Sequence, residues 1–253
     1  MDELLFPDEP PAVMHVRPRG RSPFLCLCDH AGLCMPRRLG DLGLPAAEIA
    51  RHIGWDIGAW PVSLLLADAL DAVTIGQPYS RLAIDCNRAP GVPSSIVEIS
   101  ESTAVPGNLG LTQAQRDARE TALFRPYHDA VAAELDRRAA VGQGSVIIAM
   151  HSFTPVYKGI ARPWHVGVLF NRDARLARAL LDLLHAESDL MVGENEPYAV
   201  SDLTDYTVPV HAERRGLAHV ELEIRQDLIE SEVGQHEWAE RLTRLLPLAL
   251  GRI

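Results

Sequence analysis

Residues 145–155 read SVIIAMHSFTP, an apolar run of strand length that ends on His151 and is closed by Pro155. A continuous apolar run bounded by a breaker suits a strand covered on both faces, since a strand with one wet face would alternate polar and apolar side chains. Similar runs lie to either side: FLCLC (24–28), AVTI (72–75), RLAID (81–85), HVGVLF (165–170) and HVELEI (219–224). Between them, helical patterns are expected over 46–53, 60–70, 112–140, 173–185 and 236–246. Pro126 predicts two helices or a kink within 112–140, because proline removes a helix hydrogen bond and crowds the preceding turn. Strand runs alternating with helical patterns imply an α/β domain with helices over the faces of a largely buried sheet.

The chain has 253 residues, 47% of them apolar and 23% charged, with a formal charge of −10. These values suit one compact domain. The acidic balance argues against a nucleic-acid partner, which calls for surplus Lys and Arg to displace counterions. The start, MDELLFPDEPP, carries acids and prolines where a secretory signal has a basic stretch and an apolar run, so a cytoplasmic protein is expected. Asp68 and Asp71 interrupt the apolar stretch 62–73, and no bilayer span is expected. Residues 1–21 lack periodicity and read as an N-terminal arm, leaving 22–253 as the domain. The cysteines Cys26, Cys28, Cys34 and Cys86 lack paired metal-binding spacing and read as small buried hydrophobes.

Polar residues collect where the strand runs end. FLCLC leads into Asp29-His30, SVIIAM into His151-Ser152, and RLAID into Cys86-Asn87-Arg88. Ligands of open α/β sheets bind outside the carboxyl ends of the strands, so these ends are candidates for one pocket. A single histidine capping its own strand is the alternative reading of each. His52 and Asp56 are four apart, either a ligand pair or a local hydrogen bond. Glu221, Glu223 and Arg225 would share one strand face, which is either a solvated edge or a functional wall offering a general base. Arg81 and Arg88 carry the planar fork that suits a carboxylate, although surface ion pairs are the common fate of an arginine.

The blocks DHAG (29–32), HIGWDIGA (52–59), YSRLAIDCNR (79–88), MHSFTPV (150–156), RPWHVGVL (162–169), GENEPY (193–198) and VELEIRQDLI (220–229) together resemble the N-formylglutamate amidohydrolase family, in register from about Ser22 onward. The resemblance implies a three-layer α/β/α domain with a mostly parallel or mixed sheet, of the phosphorylase/hydrolase-like type shared with zinc carboxypeptidases and succinylglutamate and aspartoacyl deacylases. It implies a metal-dependent hydrolase, with Zn2+ or another divalent ion, acting on a small acidic N-acyl amino acid. The default substrate is N-formyl-L-glutamate, cleaved to formate and glutamate in one route of histidine breakdown; the alternatives are a metal-dependent deacylase of a different N-acyl amino acid and a relative that binds an acidic metabolite without turnover. Carried over by position, His30 and His151 are metal ligands and Asp56 is the third. The related enzymes use H-x-x-E, whereas Leu33 stands third after His30, which keeps His52 as the reserve ligand. Glu223 would be the general base. Arg81 would steady the oxyanion and, with Asn87 and Arg88, grip the substrate. Asn195, Glu196 and Tyr198 would shape the pocket wall, where a plain turn over 193–197 is the other reading.

Overall fold

A computed structural model of the chain describes residues 3–253. In chain order its elements are β1 (Met14–Val16), β2 (Phe24–Cys28), α1 (Ala46–Ile49), α2 (Ala59–Leu70), β3 (Val73–Gly76) and a hairpin of β4 (Ile99–Ser100) and β5 (Thr103–Ala104). There follow α3 (Gln113–Arg119), α4 (Arg125–Ala140), β6 (Val146–Phe153), a second hairpin of β7 (Val156–Tyr157) and β8 (Ile160–Ala161), β9 (Val166–Leu169), α5 (Arg175–His185), β10 (Val192–Glu194), β11 (His219–Arg225) and α6 (Glu232–Leu250).

Seven strands make one sheet in the order β1-β3-β2-β6-β11-β9-β10. Strands β3, β2, β6 and β11 run parallel, while β1 is antiparallel to β3 and β9 is antiparallel to β11. The sheet is therefore mixed. Side chains alternate between its faces. Cys26, Ile148, Met150, Val220 and Leu222 pack against α2, α5 and α6, whereas Leu25, Leu27, Ile75 and Ile147 pack against α4 and the turn that precedes it. Helix on sheet on helix is the expected three-layer α/β/α arrangement. Each fully buried aliphatic side chain contributes about 1.5–3 kcal/mol. Helix α5 shows the pattern plainly: Leu176, Ala177, Leu180, Leu181 and Leu184 are buried while Arg175, Arg178 and Asp182 face solvent. Where Pro126 predicts two helices or a kink, two helices stand, α3 and α4, joined by a π-helical turn, Glu120–Phe124, with the proline in the first turn of α4.

Some expectations are corrected. The run 81–85 is no strand. Ala83 N donates to Ser80 O and Asp85 N to Ser95 O, so the segment turns across the strand ends; Leu82 buries in a loop-side cluster and Ile84 in the core between the sheet and α4, and neither joins the sheet. The helix expected over 46–53 stops at Ile49 and gives way to turns. Of the arm expected over 1–21, residues 1 and 2 lie outside the described residues, Leu4 is buried in the core, and Met14–Val16 pairs with β3 as the edge strand. Neither β1 nor β10 has the length or alternation that marks a strand in sequence. Among the described residues no helix is long and apolar enough to cross a membrane.

Candidate active site

Because β2, β6 and β11 are parallel neighbours, their carboxyl ends open on one side of the sheet. A cleft of about 470 Å³ lies there, bordered by His30, Asp56, Arg81, Asn87, Arg88, His151, Tyr198, Glu221 and Glu223 among others. His30 follows β2 and His151 lies within β6. Asp56 arrives from the turn before α2, which opens on Gly58 with φ of 79°; a Cβ there would stand 2.2 Å from Ile229 O, so only glycine lets the chain enter the helix at this point.

Both histidines reach the same carboxylate oxygen. His30 Nδ1 is 3.1 Å and His151 Nδ1 is 2.8 Å from Asp56 Oδ2, and the three residues are buried. Their outer nitrogens face two more acids: His30 Nε2 is 2.8 Å from Asp85 Oδ1, and His151 Nε2 is 3.4 Å from Asp29 Oδ2. Asp29 is held in turn by Thr207 Oγ1 at 2.8 Å. A neutral imidazole donates from one nitrogen only, so His30, with a carboxylate at hydrogen-bond distance from each nitrogen, calls for a cation, a proton or a metal ion, at the inner position, whereas His151 Nε2 only faces Asp29 without a hydrogen bond. Burial opposes charging His30 and His151, yet the surrounding carboxylates prevail and raise both. Burial likewise pushes Asp56 and Asp85 upward, but His30 and, for Asp85 first of all, Arg81 outweigh it and keep both ionised. Asp29 ends at about 2 because its interactions with His151 overcome burial.

The ligand atoms of His30, Asp56 and His151 lie within 4.8 Å of one another, a candidate metal site of two imidazoles and one carboxylate. Its outer ring of carboxylates on the histidines is the arrangement that fixes ring orientation in metal centres. The donor set fits a divalent transition ion.

Glu221 and Glu223 project from β11 into the same cleft, each with a buried Oε2 that has no hydrogen-bond partner. The solvated-edge reading of this strand does not hold, because β11 lies between β6 and β9. Burial raises Glu221 to about 8 and Glu223 to about 7. Arg225, expected on the same face, sits at the strand end, where it binds Asp227 at 2.8 Å and Pro163 O at 3.3 Å.

The other expected residues divide. Arg81 borders the cleft with its guanidinium bound to Asp85 Oδ2 at 2.6 and 3.1 Å and to Asp56 Oδ1 at 3.3 Å. Asn87 accepts from the backbone of Tyr206 and Thr207 and donates to Asp205, so it also ties the 205–207 loop to the cleft. Arg88 touches Asn87 O and, at 3.5 Å, Asp205. Tyr198 is on the wall. Asn195 is not: its Oδ1 accepts from Phe170 N at 2.9 Å, and the residue, at φ of 51°, serves the turn after β10. Glu196 is also absent from the cleft wall. His52 and Asp56 do not pair. His52 faces Glu101 at 3.4 Å, farther out on the cleft wall, and the intervening residues form turns rather than a helix.

Sequence reasoning missed the roles of Asp29 and Asp85, although Asp29 adjoins His30 and Asp85 lies two residues before Asn87. Asp205, Glu101 and Tyr157, which also border the cleft, carried no local signal at all.

The sequence profile of the N-formylglutamate amidohydrolase family matches residues 22–230. The crystal structure of a gene product of Agrobacterium tumefaciens is similar at a TM-score of 0.95, with 38% identity over 98% of each chain. That of N-formylglutamate amidohydrolase from Ralstonia eutropha shares the fold at a TM-score of 0.69, with 18% identity over 95% of this chain and 97% of the other. No curated protein matches the chain. The family match runs through the strands and turns that build the cleft, and the chain belongs to the N-formylglutamate amidohydrolase family of amide-hydrolysing enzymes.

Proposed function

We propose that the protein is a metal-dependent hydrolase of N-formyl or short N-acyl acidic amino acids, with N-formyl-L-glutamate as its default substrate and formate and L-glutamate as products. The observation that carries this reading is the convergence of His30, Asp56 and His151 on one point of the cleft, with Glu223 alongside. These three residues would hold the ion, for which zinc suits the nitrogen and oxygen donors, and the bound ion would supply an activated water and a polarised amide carbonyl.

The chain's own groups do the rest. Glu223 accepts the proton of the attacking water and delivers it to the leaving amine nitrogen. A carboxyl raised by burial to about 7 gives and takes a proton near neutrality, as both halves of that shuttle require. Arg81, fixed between Asp85 and Asp56, keeps a positive charge beside the carbonyl oxygen and steadies it as it becomes an oxyanion. Asp29 and Asp85 hold the two imidazoles in line. Arg88 retains donors for a substrate carboxylate, and Asn87 and Tyr198 complete the wall around it.

The test is metal content of the purified protein together with formate release from N-formyl-L-glutamate, before and after chelation and zinc restoration. Near-stoichiometric metal with chelator-sensitive formate release is expected. Metal without formate release transfers the reading to another N-acyl amino acid, and failure to bind zinc at all rejects it.

A further inference from the structure

Among the described residues, the two arginines bordering the cleft are tied to acids: Arg81 to Asp85 and Asp56, and Arg88 to Asp205. Arg162, just beyond β8, is different. Among the described residues it makes no ion pair. Its guanidinium carbon lies 4.6 Å from the ring centre of Tyr157, 4.7 Å from that of Tyr198 and 5.8 Å from that of Phe153. All three rings border the cleft. Nη1 donates to the Tyr198 hydroxyl at 2.8 Å, and the backbone N–H donates to Pro155 O at 2.8 Å.

This arrangement is unlike an arginine left loose on a surface. Fixing so long a side chain costs conformational entropy, and here the cation held over aromatic faces offsets that cost. Contact with ring faces uses up no hydrogen-bond donor, and the guanidinium keeps forked donors of the kind that match a carboxylate. One donor is spent on a neutral phenol. Among the described residues the charge itself has no acidic partner, although the chain carries ten more acidic than basic charges and pairs the arginines that border the cleft. Arg88 belongs to a different loop and has only a long contact with an acid, Asp205, so one guanidinium with unspent donors stands in the cleft and another stands against its aromatic wall.

We propose that Arg162 is a second carboxylate-binding and specificity-determining residue, which selects a ligand bearing two carboxylates, one held at Arg88 and the other at Arg162 within the Tyr157 and Tyr198 stack. This rests on the reading of the cleft as a site for acidic N-acyl amino acids and adds the residue that distinguishes a dicarboxylic amino acid from a monocarboxylic one. Because the rings and the Tyr198 hydroxyl hold the guanidinium before the ligand arrives, little ordering remains to oppose binding.

The experiment is calorimetric titration of the purified protein with glutarate and with pentanoate, which differ by one carboxylate and contain no amide to cleave. The wild-type chain is expected to bind glutarate about ten- to hundredfold more tightly, the range of a charged hydrogen-bonded contact. Arg162→Gln is expected to bring glutarate down to the affinity of pentanoate while leaving pentanoate unchanged, and Arg162→Lys to restore part of the difference. Tyr198→Phe, which removes only the phenolic partner of Arg162, is expected to weaken glutarate to a lesser degree, and with Arg162→Lys it decides the matter should Arg162→Gln not fold. Equal binding of the two acids by the wild-type chain, or full discrimination retained by Arg162→Gln, overturns the proposal. Formate release measured in parallel separates the two readings: Arg162-dependent discrimination without formate release upholds this inference and removes the proposed activity, whereas formate release with undiminished discrimination in Arg162→Gln does the reverse.

Discussion

Glu223 and His151 are register partners on adjacent parallel strands, and Gly167 on β9 completes the rung on the other side of Glu223. Paired residues project to the same face of a sheet, so the proposed base and a proposed ligand enter the cleft side by side on its most buried strands.

Glu223→Gln keeps the size and hydrogen-bonding capacity of this side chain and removes its ability to accept a proton. Its kcat for formate release is expected to fall by about 10²–10⁴-fold, with zinc content unchanged. Steady-state kinetics beside elemental analysis reads both, and a variant with wild-type kcat would remove Glu223 from the proton shuttle.

The outer carboxylates make a separate prediction. Asp29→Asn and Asp85→Asn leave the three proposed ligands in place and loosen the rings of His151 and His30, so zinc affinity is expected to weaken by about 10–100-fold. Competition with a chromophoric chelator measures it. Unchanged affinity in both variants would mean that the imidazoles need no such support.

A buried pair outside the cleft sets part of the acid sensitivity. His128 Nδ1 is 2.9 Å from His211 Nε2, and His128 Nε2 is 2.8 Å from Cys86 O, a chain in which both rings are neutral. Burial lowers both, and proximity to His128 also helps bring His211 down to about 3. An unfolded histidine titrates near 6.5, so between about pH 6.5 and 3 the unfolded chain holds a proton that folded His211 refuses. Stability is therefore complete above that window and is lost as pH falls through it. Between pH 7 and 5 the His211 share of the loss is about 2 kcal/mol. Urea unfolding at the two pH values should show a correspondingly smaller loss in His211→Gln, and an equal loss in both proteins would contradict the assignment.

Gly167→Ala tests the rung from its other end. A Cβ at Gly167 would stand 2.0 Å from Glu196 O, a backbone atom that cannot swing aside. The expected cost is about 1–3 kcal/mol of stability, with reduced kcat as β9 shifts against Glu223. Thermal melts and formate release check the two effects, and a variant as stable as the wild type would show that the turn at 195–197 yields freely.

Much of this protein is written locally. The apolar runs at 24–28, 146–150 and 166–169 are strands because side chains so uniformly apolar are stable only with both sheet faces covered, 219–224 is legible from its two-residue alternation, and α5 from its amphipathic spacing. His30, His151 and Glu223 could be named as candidates from their motifs, since each sits at or beside a strand end. The run 81–85 misled because hydrophobicity reports burial and not the form of the backbone: Leu82 and Ile84 bury from a turn as completely as from a strand. The choice between Asp56 and His52 also lay beyond local pattern. Both are polar residues in one loop, and only the path of that loop sends Asp56 between two imidazoles and His52 toward Glu101. The same holds for Asp29, Asp85, Asp205 and Arg162, whose roles depend on partners distant in the chain. Side-chain chemistry and periodicity are properties of neighbouring residues and can be read in one dimension; which charge meets which, and which is left without a partner, is decided by packing alone.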